Sequence, residues 1–154
     1  METDKTNPIK LVEFWPYKAV FLADQVSRFT LSVARDTENL NLSQWRVLAA
    51  IAEKPGITAA NVTRMTPMDK TLVSRAVQSL ITLKLIRKLP DKDDKRRISL
   101  HTTQKGYNVY KDIASKLSAT LTPGKGQDEK TKQLLGLLDE FITRLDDIKP
   151  SREE

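Results

Sequence analysis

Three features of the sequence predict an α+β fold, predominantly helical: a winged helix-turn-helix with N- and C-terminal dimerisation helices. Two helix-like segments meet across the tight turn Thr66-Pro67-Met68. Two strand-like runs then flank a basic tip, Pro90-Asp91-Lys92-Asp93-Asp94-Lys95-Arg96-Arg97. Heptad stripes mark the helices at both ends of the chain, and such a stripe requires another helix to cover it.

The first helix is expected from Phe14, with Pro16 tolerated in its first turn. Its stripe is Trp15, Ala19, Leu22, Val26, Phe29 and Val33, spaced 4, 3, 4, 3, 4. Asp36 to Asn41 reads as a connector. Three helix starts then share one design, a capping side chain between two apolar residues. Ser43 stands between Leu42 and Val47, Thr58 between Ile57 and Val62, and Asp69 between Met68 and Val73. Helices are predicted at 43–53, 58–65 and 69–83, with Lys54-Pro55-Gly56 ending the first of them. Strands are predicted at Leu85 to Leu89 and Ile98 to Leu100, with Ile98 and Leu100 inward and Arg97, Ser99 and His101 outward. Thr102 or Thr103 caps the next helix, whose stripe is Tyr107, Tyr110, Ala114, Leu117 and Leu121. Thr122-Pro123-Gly124-Lys125-Gly126 breaks the chain, and a last helix follows from about Asp128 with Leu134, Leu138, Phe141, Leu145 and Ile148 in line. One small domain has too little surface to cover three stripes, so a homodimer is expected. The chain, 1–154, is read as a single domain: 14–36 and 103–148 supply the dimerisation helices and 43–102 the winged lobe.

Composition narrows the function. Charged residues at 30% and apolar ones at 39% describe a globular chain of one domain. No apolar run approaches the roughly 18 residues of a membrane span, so no membrane partner is expected. No apolar leader is visible, and the expected compartment is cytoplasmic. Without cysteine there is no disulfide, thiolate metal site or thiol switch. The single histidine, His101, stands in no metal-binding spacing and reads as a strand residue. Asp91, Asp93 and Asp94 imitate part of a calcium loop but lack its glycine and its final glutamate. No nucleophile is paired with a base and no glycine-rich phosphate loop occurs. Neither an enzyme nor a cofactor is expected.

The net charge of +6 is unevenly placed. From Lys54 to Lys105 there are 12 Lys/Arg and 4 Asp/Glu, whereas the remainder holds 14 and 16. A middle third this basic is suited to a polyanion. In the segment 69–80, Val73, Ala76, Val77 and Leu80 form an apolar stripe at helical spacing, and Lys70, Thr71, Ser74, Arg75 and Gln78 take another face. An arginine can grip guanine O6 and N7, and a glutamine adenine N6 and N7. Thr58 and Asn61 are suited to phosphate contacts, and Lys92, Lys95, Arg96 and Arg97 to the backbone or an adjacent minor groove. Asp94, two residues before Arg96, is placed to orient its guanidinium. The expected partner is double-stranded DNA. A non-specific architectural DNA-binding protein, or a winged helix used for protein contacts, are the alternatives left open by the charge pattern.

The element order resembles the multiple antibiotic resistance regulator (MarR) family of winged-helix transcription factors. The resemblance rests on Leu42-Ser43-Gln44-Trp45-Arg46-Val47-Leu48, on Asp69-Lys70-Thr71-Leu72-Val73-Ser74-Arg75, and on Asp94-Lys95-Arg96-Arg97 followed by Thr103-Gln104-Lys105-Gly106. The Asp-x-Arg and Thr-x-x-Gly pair is its most specific part. It implies an obligate homodimer with interlocked terminal helices, the fourth helix in the major groove and Arg96 in the minor groove, repressing transcription from a pseudo-palindromic operator. It also implies a possible small-molecule effector, aromatic or phenolic. Trp45, Arg46 and Tyr17 are candidates for its pocket, although Trp45 and Tyr17 read first as core residues, and no ligand site is assigned. Members that sense peroxide through cysteine are not the model, and Thr102 stands where the family often has leucine.

Overall fold

The computed structural model describes residues 9–91, 94–122 and 128–148; Lys92, Asp93 and the break at 123–127 lie outside them. Six α-helices and one hairpin follow a 3-10 turn at Leu11–Glu13: α1 (Trp15–Glu38), α2 (Leu42–Glu53), α3 (Ala59–Met65), α4 (Lys70–Thr82), β1 (Ile86–Pro90), β2 (Ile98–Thr102), α5 (Gln104–Leu121) and α6 (Glu129–Ile148). Contacts group the chain into two units, Met1–Ile113 and Ala114–Glu154.

In the first unit the core lies among α2, α3, α4 and the hairpin. Val47, Leu48, Ile51, Val62, Val73, Leu80, Leu85 and Leu100 are essentially removed from water there. Burying each such side chain contributes roughly 1.5–3 kcal/mol, which offsets the entropy of ordering the short helices around it. Only the end of α1 joins this core, through Thr30 and Ala34. The start of α5 joins through Gly106, Val109 and Ile113. The predicted α5 stripe is therefore a second face, with Tyr107 exposed on it.

Chain ends explain the boundaries. α1 runs three residues further than Arg35, through much of the expected connector, and stops at Asn39 in the left-handed conformation (φ 52°). α2 is capped by Asn41, not Ser43: its side chain accepts from the Gln44 amide at 2.9 Å while Gln44 Oε1 accepts from the Asn41 amide at 2.7 Å. A Ser43 cap would place Arg46 at the return position, where no acceptor exists; Asn41 places Gln44 there. Thr58 and Asp69 cap α3 and α4 as expected. α4 ends in a Schellman turn, with Leu85 N–H donating to Leu80 O at 2.9 Å and Lys84 N–H to Ile81 O at 2.9 Å. Lys84 takes the positive φ of 58° that usually belongs to glycine.

The hairpin pairs antiparallel from Ile86↔Thr102 to Pro90↔Ile98. The loop before α3 adds a bridge, Ile57↔Leu100, with Gly56 at φ 88° turning the chain into it. The strand alternation departs from expectation at two residues. Ile98 is 48% exposed, and Ser99 only 4%. Leu100 is held over the core by the Ile57 bridge, whereas Ile98, one pleat nearer the tip, reaches past its edge. Ser99 tolerates burial because its hydroxyl donates to Leu89 O at 3.1 Å and also meets His101 Nε2 at 3.1 Å.

In the second unit, α6 begins at Asp128, whose carboxylate accepts the Thr131 amide at 3.0 Å and the Thr131 hydroxyl at 2.6 Å. Glu140 and Arg144 pair at 2.7 Å along its surface. No residue of α6 is buried, although Leu134, Leu135, Leu137, Leu138, Ile142, Leu145 and Ile148 are all apolar. No described helix is long and apolar enough to cross a membrane.

Candidate nucleic-acid interface

The orientation of α4 follows from its sequence. Val73, Ala76, Val77 and Leu80 are buried, so the opposite face is directed outward. Lys70, Thr71, Ser74, Arg75 and Gln78 are all exposed on that face. The helix is fixed at its start by Asp69, whose carboxylate accepts the Leu72 amide at 2.8 Å. It is fixed again near its end, where Gln44 Nε2 of α2 donates to Ser79 Oγ at 2.5 Å. Gln44 thus completes a cap and holds α4 with one side chain. Its capping role is written in the spacing Asn41-x-x-Gln44; its bond across 35 residues is not.

α3 and the hairpin stand on either side of one groove of about 470 Å³ beside α4. Ala59, Ala60, Val73, Val77, Ile98 and Leu100 give it an apolar floor, and Lys70, Ser74, Gln78 and Lys88 a polar rim. Thr71 and Arg75 lie outside this groove on the same helix. Lys88, in β1, is a rim cation that sequence reasoning misses because it lies in a strand rather than at the tip.

Thr58 and Asn61 are partly committed to local bonds. Thr58 Oγ1 accepts the Asn61 amide at 3.3 Å, and Asn61 Oδ1 accepts from Arg64 Nη2 at 2.8 Å. The amide of Asn61 is therefore occupied, and the cation presented beside it is Arg64. Lys54, Gly56, Asn61 and Arg64 line a second, more open cleft of about 400 Å³.

At the wing, Asp94, Lys95, Arg96 and Arg97 are exposed, and Lys92 falls outside the described residues. Asp94 acts on backbone rather than on the guanidinium of Arg96: its Oδ1 accepts the Arg96 amide at 3.0 Å, and its carbonyl accepts the Arg97 amide at 2.9 Å. An aspartate two residues back reaches an amide more readily than the end of a long flexible side chain. Asp91 in turn accepts the Asp94 amide at 3.2 Å. The described part of the tip is folded by its acids, Asp91 and Asp94, which bond to backbone amides. Among the described residues, none of Lys70, Arg75, Lys95, Arg96 and Arg97 is in an ion pair. Exposed cations without internal partners are what phosphate neutralisation requires.

Candidate pocket residues separate. Trp45 is buried, 9% exposed, and stacks on Tyr110 at 5.9 Å, as a core residue. Tyr17 is 47% exposed on α1, contrary to its reading as core. Among the described residues no group of acidic or histidine side chains could hold a metal ion.

This geometry has close counterparts. Residues 38–97 match the model of the MarR family. The uncharacterized HTH-type transcriptional regulator YybA of Bacillus subtilis (strain 168) is 36% identical over 72 residues, 47% of this chain. The matched stretch spans about half (48%) of that curated relative's length. Among solved structures, a MarR/EmrR family regulator from Acinetobacter sp. ADP1 superposes with a TM-score of 0.75 at 20% identity, covering 90% of this chain and 99% of that one. FabT of Streptococcus pneumoniae, solved in complex with DNA, gives 0.69 at 17% identity, covering 87% and 96%. The PcaV regulator of Streptomyces coelicolor, solved with its natural ligand, gives 0.64 at 20% identity, covering 92% and 98%. The fold of these proteins, a helical chain around a two-stranded wing, is the fold described above. Residues 38–97 are thus similar to the MarR family, and along nine-tenths of its length the chain has the fold of solved regulators of that family.

Proposed function

We propose that the protein is a cytoplasmic transcriptional regulator that binds a pseudo-palindromic DNA duplex as a homodimer and represses by occlusion. The observation that carries this reading is the outward face of α4. Its polar residues have no ion-pair partner among the described residues, its apolar face is buried, and the wing arginines belong to the same lobe. In this reading α4 enters the major groove, where Arg75 and Gln78 meet base edges and Lys70, Thr71 and Ser74 fix position. Arg96 enters the neighbouring minor groove, and Lys92, Lys95, Arg97, Thr58 and Asn61 hold the backbone, with Asp94 shaping the tip.

Pairing is supported by what the single chain leaves uncovered. Trp15, Leu22 and Val26 on α1, Tyr107 and Leu121 on α5, and the leucines and isoleucines of α6 are all exposed. Apolar residues left exposed in such number on each of these helices are characteristic of an interface. A two-fold dimer sets its half-sites about one helical turn apart, roughly 10 bp centre to centre. DNA in the FabT structure and the natural ligand in the PcaV structure support DNA and small-molecule binding in proteins of this fold. An aromatic or phenolic effector would act here by binding more tightly to a dimer whose α4 helices are misplaced for the half-sites.

Selection of duplexes from a random library by the full-length protein, followed by salt titration, tests the reading. A preferred two-fold sequence is expected, with affinity falling about 10³- to 10⁵-fold between 50 and 200 mM salt if roughly 6–10 phosphates are neutralised. Binding without sequence preference would favour an architectural role, and the absence of salt-dependent binding would favour protein contacts.

A further inference from the structure

Leu72 stands apart on α4. Of the four leucine and valine positions from Leu72 to Leu80, the other three are buried, whereas Leu72 is 42% exposed. A lone exposed leucine is common on protein surfaces. This one lies in the first turn of α4, the part of a recognition helix that meets base edges. Its surroundings exclude the usual alternative for a helix start, a phosphate contact. The Leu72 amide is already taken by Asp69 Oδ1 at 2.8 Å, and the Asp69 carboxylate repels a phosphate at that end. Arg75 follows three residues later on the same flank, without an ion-pair partner among the described residues. Three residues advance a helix by about 4.5 Å, close to the roughly 3.4 Å step between base pairs.

We propose that Leu72 is a specificity-determining residue, packing on the C5-methyl of a thymine in the base pair next to the guanine gripped by Arg75. This assignment rests on the duplex-binding function proposed above. A leucine offers no hydrogen bond, so it distinguishes thymine by the methyl group alone.

The test uses the full-length protein and a duplex selected by it. Each thymine is replaced in turn by deoxyuridine, which removes only that methyl. The wild type is expected to show one thymine per half-site whose replacement weakens binding about three- to fivefold, the effect of roughly one buried methylene-sized group. Leu72→Ala should bind the thymine duplex more weakly by a similar factor and be indifferent to uracil there. Leu72→Met should retain the uracil penalty. The assignment is overturned if every uracil duplex binds the wild type normally, or if Leu72→Ala keeps the penalty. It is also overturned if Leu72→Ala alters the dimer mass and leaves base preference untouched, since Leu72 would then belong to a protein interface. If a preferred sequence emerges and Arg75→Ala loses it while the uracil scan stays flat, Leu72 alone is misassigned. If no preferred sequence emerges, base reading itself fails, and this assignment with it.

Discussion

Gly106 approaches Leu85 so closely that a β-carbon on Gly106 would lie 1.9 Å from the Leu85 carbonyl oxygen. This approach joins the start of α5 to the end of the turn that closes α4. Thr103 reinforces it: its hydroxyl donates to Lys84 O at 2.8 Å and accepts the Gly106 amide at 3.0 Å. The Thr-x-x-Gly spacing is thereby explained, with the threonine as cap and crosslink and the glycine as the only residue small enough.

Gly106→Ala is expected to destabilise the protein by about 3 kcal/mol, the upper part of the range for overpacking, because the obstructing atom is backbone. Thr103→Val should cost about 1–2 kcal/mol and Thr103→Ser much less. Denaturant titration at one fixed protein concentration measures both. A Gly106→Ala variant as stable as the wild type would refute the close approach.

The cap of α2 gives a paired comparison. Asn41→Ala should lose about 1 kcal/mol, because the Gln44 amide then lacks its acceptor. Ser43→Ala should stay within about 0.5 kcal/mol. Thermal unfolding of both variants decides between the two residues as cap, and the reverse ranking would restore Ser43.

Asp94 separates shape from charge at the wing. Removing a negative charge near DNA would strengthen binding if Coulomb terms alone acted. Asp94→Ala also removes the acceptor that folds the tip around the Arg96 amide, and is expected to weaken binding to all duplexes. Asp94→Asn keeps the acceptor without the charge and should bind at least as well as the wild type. Anisotropy titrations of both variants check the sign.

Under the proposed function, Arg75 and Lys95 should divide specificity from affinity. Arg75→Ala should lose about 1–3 kcal/mol of discrimination at particular base pairs. Lys95→Ala should weaken cognate and random duplexes alike and lower the salt slope by about 1 for each phosphate no longer neutralised. Equal losses on both kinds of duplex in both variants would contradict this division.

At the start of α6, the Thr131 hydroxyl and amide both stabilise ionised Asp128 and hold its carboxyl below the ordinary 3.8. A depressed folded value favours the cap above about 3.8 in the unfolded chain and withdraws that contribution as pH falls through the lower folded value. Carboxyl NMR should show Thr131→Val raising the Asp128 titration toward 3.8. An unchanged titration would remove the Thr131 hydroxyl as the main cause.

What is legible in the sequence is local. Thr58 and Asp69 each have a short acceptor side chain three residues before the amide it satisfies, between two residues that become core, and both caps stand where their spacing predicts. The outward set on α4 follows from its period. Ser43 misleads because a serine before an apolar run satisfies the same pattern as Asn41, and only the glutamine at 44 separates them. Period alone also fails at Ile98 and Ser99, since it fixes a shared face but not where the core ends along it. Tyr17 is misplaced because its aromatic character suggests core, although it lies off the α1 stripe that begins at Trp15. Meetings of distant segments leave no local trace: the Ile57–Leu100 bridge, Gln44 on Ser79 and Gly106 under Leu85 arise only when the elements come together.

The most direct measurement is a hydroxyl-radical footprint of the full-length protein on its selected duplex, with the mass of the complex taken in parallel. Two protected patches centred about 10 bp apart on one face are expected, from a dimer of twice 17.5 kDa, and Arg96→Ala should expose the flanking minor-groove segments. A monomer protecting one patch, or two patches unchanged when Arg75 and Arg96 are both replaced by alanine, would contradict the account.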